Sequence, residues 1–240
     1  MIKLSERLKL IADIIEPGSG VADIGTDHGY LPIYLSQTKR YGKIICTDVN
    51  KGPLGTAKAN YALTAPEAKP DMRLGDGLDP LKPGEVETVV IAGMGGLLIS
   101  DILEWDIGKS RTFRRFILQP RNNSGKLRKD LARFGFRIIR EDIALEAGRY
   151  AEIITCEPGD EPLPLEDDAS YDYPELLIKG SRRNVREYLE SQLRTETDIM
   201  RKIAEGVKGT DPKEDPDYQR RGKRRDRIEY LLGSLDGGTA

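Results

Sequence analysis

Histidine, cysteine and long apolar runs are what this chain of 240 residues has least of. Its one histidine, His28, and its two cysteines, Cys46 and Cys156, lie apart in sequence, without the paired spacing that holds a zinc ion. Both cysteines fall inside apolar runs, where a reduced thiol behaves as a small buried hydrophobe. No disulfide framework and no metal are therefore expected. No stretch approaches the roughly 20 apolar residues that cross a bilayer, and the amino-terminal segment lacks the apolar centre of a signal peptide. The expectation is a cytoplasmic, monomeric chain with no membrane partner.

Net charge is also small. With 38 Lys and Arg against 40 Asp and Glu it is formally −2, yet the two signs are segregated along the chain. Eleven Lys or Arg fall between Lys109 and Arg140 against one acid, Asp130, while seven acids and no Lys or Arg fall between Asp160 and Glu175. Segregation on this scale predicts a face for a polyanion such as nucleic acid. Arg220, Arg221, Lys223, Arg224, Arg225 and Arg227 make a second basic run, which either contacts phosphate or pairs with nearby acids along a helix.

What the chain does have is a strand-to-helix turn, Val21-Ala22-Asp23-Ile24-Gly25-Thr26-Asp27-His28-Gly29-Tyr30-Leu31-Pro32. Glycines there let backbone approach a ligand, and acids meet its polar groups. A dinucleotide fold would show G-x-G-x-x-G, with bare helix N–H groups facing a pyrophosphate. Here Gly25 and Gly29 bracket Asp27, a carboxylate placed where a pyrophosphate would be repelled. A cofactor bearing ammonium and sulfonium groups fits better, and S-adenosylmethionine is the candidate.

Along the chain, Leu4, Leu8, Ile11 and Ile15 recur at helical spacing, with Ser5 as N-cap. Strands are then predicted at Val21–Ile24, Gly42–Thr47, Met72–Leu74, Glu87–Ala92 and Phe116–Gln119. Helices between them cover Gly29–Gln37, Lys51–Leu63, Leu97–Trp105 and Gly125–Phe134. This alternation predicts βαβ units and a mostly parallel, doubly wound sheet. Phe136–Leu145 and Tyr150–Cys156, joined at Ala147-Gly148, instead predict a β-hairpin. A parallel α/β sheet ending in an antiparallel hairpin is the class I methyltransferase (Rossmann-like) fold. Glu157–Tyr173 reads as a linker, and a stripe from Val185 to Val207, a break at Gly209–Pro216 and a second stripe from Ile228 to Leu235 predict a helical hairpin with coiled-coil character. Two domains are expected, 1–157 for the cofactor and 158–240 helical.

Ligands of such sheets bind beyond the carboxyl ends of the strands, at the switch point of strand order. Asp23, Gly25, Asp27 and Gly29 belong to the first strand and turn, Asp48 ends the second, Asp76-Gly77 follows the third, and Ala92-Gly93-Met94 follows the fourth. An acid at the end of the second strand suits a ribose diol, and one after the third suits an adenine amino group. His28 either packs within the turn or faces the ligand, and Tyr30 either stacks on a base or anchors the helix. Gln119-Pro120-Arg121-Asn122 follows the fifth strand, where amides read a base edge and arginine holds phosphate. Arg128 and Arg224, from the two basic runs, are further substrate candidates.

These motifs, with Leu4-Ser5-x-Arg7-Leu8 before them, Gly75-Asp76-Gly77-Leu78, Ile91-Ala92-Gly93-Met94-Gly95-Gly96 and Leu118-Gln119-Pro120, closely resemble the bacterial tRNA (adenine(22)-N1)-methyltransferase family. The resemblance spans essentially the whole chain and is strongest over residues 1–157. It implies S-adenosylmethionine as donor, tRNA as substrate, and a helical carboxyl-terminal domain that assists tRNA binding. It places cofactor contacts at Gly25, His28, Asp48, Asp76, Gly77, Ala92 and Gly93. Where some members carry Asn directly after Gln-Pro, this chain has Arg121.

Adenine N1 carries an in-plane lone pair, so the implied reaction needs no strong general base. Catalysis is mainly positioning, with carboxylate or π faces stabilising the cationic product. Asp27 and Tyr30 are the candidates for that work. Composition and spacing alone also leave open a methyltransferase for another RNA, a protein or a small molecule, and a non-catalytic RNA-binding module. A nicotinamide enzyme is disfavoured by the turn spacing.

Overall fold

A computed structural model describes residues 1–38, 40–68, 70–159, 167–180, 183–206 and 211–237. It opens with α1 (Glu6–Ile14), capped by the Ser5 hydroxyl, which accepts from the Leu8 N–H at 3.4 Å. The alternation then runs β1 (Val21–Ile24), α2 (Tyr30–Thr38), β2 (Ile44–Asp48), α3 (Lys51–Thr64), β3 (Asp71–Leu74), β4 (Thr88–Met94) and α4 (Gly96–Trp105). A four-residue helix, α5 (Ile107–Ser110), precedes β5 (Arg115–Pro120), α6 (Ser124–Arg133), β6 (Phe136–Glu146) and β7 (Arg149–Pro158). Four helices follow: α7 (Asp168–Asp172), α8 (Leu176–Lys179), α9 (Val185–Gly206) and α10 (Pro216–Gly237).

The seven strands form one sheet in the order β3-β2-β1-β4-β5-β7-β6. All pairs from β3 to β5 are parallel, and β7 enters antiparallel between β5 and β6. Strand order therefore reverses between β1 and β4, which sets a crevice at their carboxyl ends.

Residues alternate faces along each strand, and both faces are covered. Ala22, Ile24, Val89, Ile91, Phe116 and Leu118 face α4 and α6 through Ile99, Leu103, Leu127 and Leu131. Val21, Val90 and Ile117 point the other way, onto Ile11 of α1, Ile15 just after it, and Leu31 and Leu35 of α2. Burial of each such side chain contributes roughly 1.5–3 kcal/mol and holds the sheet between its two helical layers. That stability fixes the strand ends from which the site is built.

The expected linker is more ordered than its composition suggests. Residues 160–166 lie outside the described residues, but α7 and α8 form within and just beyond the rest of it. Asp167 caps α7 by accepting from Ser170 N–H at 2.8 Å. Tyr173 and Leu177 then dock with Val185, Tyr188, Leu189, Ile228 and Leu231 onto Ile143 of β6. Apolar anchors between the acids decide the outcome there. Val207 and the start of the predicted break lie outside the described residues; beyond them Pro212–Glu214 makes one 3₁₀ turn before α10.

Candidate active site

Three backbone positions with positive φ shape the turn after β1: Gly25 at 70°, Asp27 at 48° and Gly29 at 72°. The turn is tied to β2 by N–H groups of Gly25 and Thr26, both donating to Thr47 O at 2.9 Å. A Cβ on Gly25 would lie 2.3 Å from Met94 Cε, and one on Gly29 would lie 3.0 Å from Ala57 Cβ. The positive φ is what favours glycine at both positions, since the flexible tip of Met94 and a small shift at Ala57 would relieve the contacts.

Around this turn the carboxylates divide by burial. Asp23 is 7% exposed and accepts from the Thr26 hydroxyl at 2.7 Å. Burial pushes its carboxyl up to about 6; Thr26 and the charge of Arg7 pull it down, and Asp48 adds to the rise. Asp48 is also buried, and its two oxygens accept from Asn50 N–H at 2.8 Å and Asp27 N–H at 3.4 Å. Each oxygen has acceptor capacity beyond that one bond. Asp76 is exposed, in the turn after β3 where Gly77 has φ 45°.

Asp27 and His28 are solvent-facing, with His28 Nε2 3.5 Å from Asp27 Oδ2. The imidazole stacks on Tyr30, ring centroids 5.4 Å apart and planes at 17°. Tyr30 is 49% exposed, so the pair presents an aromatic platform at the mouth of the crevice. The sequence left His28 and Tyr30 each with two readings; the geometry joins them in one element.

Across the crevice, β4 ends in an irregularity between Ala92 and Met94, with Gly93 at φ 78°. The loop after β5 hangs on this end: Arg121 N–H donates to Met94 O at 2.8 Å and Gly96 N–H to Asn122 O at 3.1 Å. Arg121 and Asn122 are exposed there. Gln119 and Pro120, expected to meet the substrate, are both buried, and of the two Pro120 lines the cleft beside this loop. The Gln119 carbonyl oxygen accepts from Gly93 N–H and from Arg7 Nη1, each at 3.0 Å, and its NH₂ donates to Pro120 O at 3.0 Å. An amide with its oxygen so engaged holds backbone in place.

Arg128 also departs from expectation. Its side chain is 1% exposed, paired with Glu141 and Glu152 and donating to Tyr171 O at 2.9 Å. It fastens α7 to the sheet and offers nothing to a phosphate. The basic run 109–140 is likewise no single face, because Arg115 and Arg137 flank Glu157 at the end of the sheet opposite the crevice. Arg224 lies 5.4 Å over the Tyr173 ring, its Nε 3.2 Å from carboxylate oxygens of Asp172 and Glu196. With Arg121, Lys126, Tyr150, Tyr188 and Arg220 it lines a cleft of about 470 Å³ between the β5–α6 loop and the carboxyl-terminal helices. Sequence reasoning quoted Arg7 within the Leu4-Ser5-x-Arg7-Leu8 motif but gave it no role in the site, since it stands in the first turn of a helix outside the crevice loops.

A family model described as a methyltransferase domain matches residues 4–154. The tRNA (adenine(22)-N(1))-methyltransferase of Bacillus subtilis is 37% identical over 171 residues, 71% of this chain and 69% of that protein. The chain belongs to the tRNA (adenine(22)-N1)-methyltransferase family. The crystal structure of the B. subtilis M1A22 tRNA methyltransferase TrmK superposes with a TM-score of 0.81 at 28% identity, covering 97% of this chain and all of that one. Streptococcus pneumoniae Sp1610 in complex with S-adenosyl-L-methionine gives 0.80 at 29% identity over 96% of this chain and 100% of that one. Among the described residues no group of three or more His, Cys, Asp or Glu could hold a metal ion, and no helix is long and apolar enough to cross a membrane.

Proposed function

We propose that the protein transfers a methyl group from S-adenosylmethionine to N1 of adenosine 22 in the D-arm of tRNA. One observation carries this reading within the family. Asp23, Asp48 and Asp76 stand at or just after the carboxyl ends of β1, β2 and β3, on one side of the switch point, and the Gly93–Gly96 backbone follows β4 on the other. A crevice walled by carboxylates repels a pyrophosphate and attracts ammonium, sulfonium and hydroxyl donors.

The residues fit such a cofactor. The open lone pairs of Asp48 suit a ribose diol, Asp23 suits an ammonium, exposed Asp76 suits an adenine amino group, and Gly25 supplies the left-handed backbone that bends the turn around them. Gly29, Gly77, Ala92 and Met94 complete the cradle. When bound, S-adenosylmethionine supplies an electrophilic methyl group on a cationic sulfur. The chain's own task is to orient the acceptor and exclude water, because adenine N1 needs neither deprotonation nor a Lewis acid. Tyr30, stacked on His28, offers a face for the target base, and Asp27 beside it offsets the positive charge that develops on the ring. N1 lies on the pairing edge, so the base enters unpaired or flipped. Arg121, Asn122 and Arg224 border its route. Residues 158–240 act as a tRNA-binding helical domain beside the methyl-transfer domain 1–157, in a monomer working in the cytoplasm.

The test is methyl transfer from labelled S-adenosylmethionine to unmodified tRNA, with nucleoside analysis. 1-Methyladenosine at that one D-arm position, lost when the base is changed, supports the reading. Cofactor binding without tRNA methylation redirects it to another acceptor.

A further inference from the structure

Arg7 belongs to none of the loops that wall the crevice, yet its guanidinium sits where four parts of the site meet. From α1 it donates to Glu146 at the tip of the β6–β7 hairpin, Nε to Oε2 3.0 Å, and to Gln119 Oε1 at 3.0 Å. Its charge reaches buried Asp23. Burial would raise the Glu146 carboxyl, but the Ser5 hydroxyl and Arg7 outweigh it and hold the group ionised below its usual range. The anchor of Arg7 is thus itself fixed.

Gln119 is where this matters. A side-chain amide has two nearly isosteric orientations, which its partners must choose between. Here Oε1 faces two donors, the Arg7 guanidinium and Gly93 N–H, and the NH₂ faces the Pro120 carbonyl. The flipped amide would set donors against donors at two contacts. Without Arg7, one of the two donors that fix the orientation is gone. Gly93 lies in the irregular end of β4, so the Gln119 bond decides where its N–H points. The β5 loop follows through Arg121 N–H to Met94 O and Gly96 N–H to Asn122 O.

We infer that Arg7 is a positioning residue for methyl transfer: by locking the Gln119 amide it sets the cofactor-side loop after β4 against the acceptor-side loop after β5. The inference rests on the proposed function for which loop serves which substrate. An incidental surface ion pair is the competing account. Arg7 and Glu146 side chains are 22% and 32% exposed, and a pair of that kind adds little to stability. The two accounts differ in what is lost, transfer or nothing.

The experiment uses the full chain with Arg7→Ala and Arg7→Lys, alone and combined with Gln119→Ala. Expected for Arg7→Ala is a kcat about tenfold lower with the cofactor KM changed less than about threefold, since the interaction acts on alignment more than on binding. Arg7→Lys recovers part of the loss, because one ammonium lacks the fork that spans Glu146 and Gln119. On the Gln119→Ala background, Arg7→Ala costs less than about twofold more. In nitrogen-15 spectra without RNA, the Gln119 side-chain resonance moves in Arg7→Ala. A kcat within about twofold of the unchanged protein, measured well below the melting temperature, overturns the inference. So does an unmoved Gln119 resonance. If Arg7→Ala does not fold, Arg7→Lys decides by the same two readouts. If the unchanged protein methylates no tRNA, the functional reading falls, while the resonance still decides whether Arg7 orders Gln119.

Discussion

Arg128 donates to both carboxylate oxygens of Glu141, Nε to Oε1 and Nη2 to Oε2 at 2.8 Å each, with both side chains 1% exposed. Water cannot replace either partner there. Arg128→Ala leaves Glu141 buried and uncompensated, and is expected to cost about 3–5 kcal/mol of stability. Arg128→Met, of similar length, leaves the same orphan and should do little better. Pairing Arg128→Met with Glu141→Leu should recover most of the loss. Denaturant midpoints check this. At temperatures where the variants stay folded, the salt dependence of tRNA binding should match the unchanged protein.

This pair marks the boundary of what the sequence made legible. The sheet was readable because strands such as β1, β2 and β4 are short apolar runs that end at or beside a glycine or an acid, with helical stretches between them. The acids of the crevice were readable because strand order alone places them, as with Asp48 at the end of β2. Arg128 was not, since nothing local tells a surface arginine from one that meets Glu141 and Glu152, 13 and 24 residues away. Arg7 and Gln119 stood in the quoted motifs, but their link was hidden for the same reason: Arg7 meets Glu146 139 residues away, and Gln119 meets Gly93 across 26. Charge density along the chain pointed to a polyanion without showing its face, because β5 and β6 run in the same direction and carry Arg115 and Arg137 to the far end of the sheet.

Asp23 predicts a pH limb for cofactor binding. Its carboxyl, raised from 3.8 to about 6 chiefly by burial, is protonated in the free protein below that pH. Pairing with an ammonium requires the carboxylate, so affinity should fall as pH drops through about 6, approaching tenfold per unit. The same rise makes the ionised form the one that folding disfavours, so its contribution to stability declines as pH climbs from about 4 to about 6 and is level above. Calorimetric titration with S-adenosylmethionine from pH 5 to 8 checks the limb. Asp23→Asn should bind more weakly throughout and lose it.

The His28–Tyr30 stack predicts a difference between losing a ring and losing a hydroxyl. Tyr30→Phe keeps the exposed face and should retain most activity. Tyr30→Ala removes a base platform worth about 1–3 kcal/mol, hence a fall of about 5- to 150-fold in kcat/KM for tRNA, with cofactor affinity nearly unchanged. Equal effects of both substitutions would assign the role to the hydroxyl instead.

The carboxyl-terminal helices predict how tRNA affinity should be probed. Removing everything after Pro158 would strip Tyr173, Leu177, Leu189 and Leu231 from Ile143 and leave Arg128 without its Tyr171 carbonyl. Truncation would therefore confound binding with stability. Single substitutions separate them. Arg121, on the β5–α6 loop, and Lys223, on α10, are both exposed and form no ion pair among the described residues. Arg121→Ala and Lys223→Ala should each weaken tRNA binding and lower the slope of log affinity against log salt by about 1, leaving the cofactor affinity intact. Arg115→Ala, which removes a cation paired with Glu16 and Glu157 at the opposite end of the sheet, should leave that slope unchanged. A slope lowered equally by all three would mean that tRNA feels the summed field of the protein, with no defined phosphate track past the crevice.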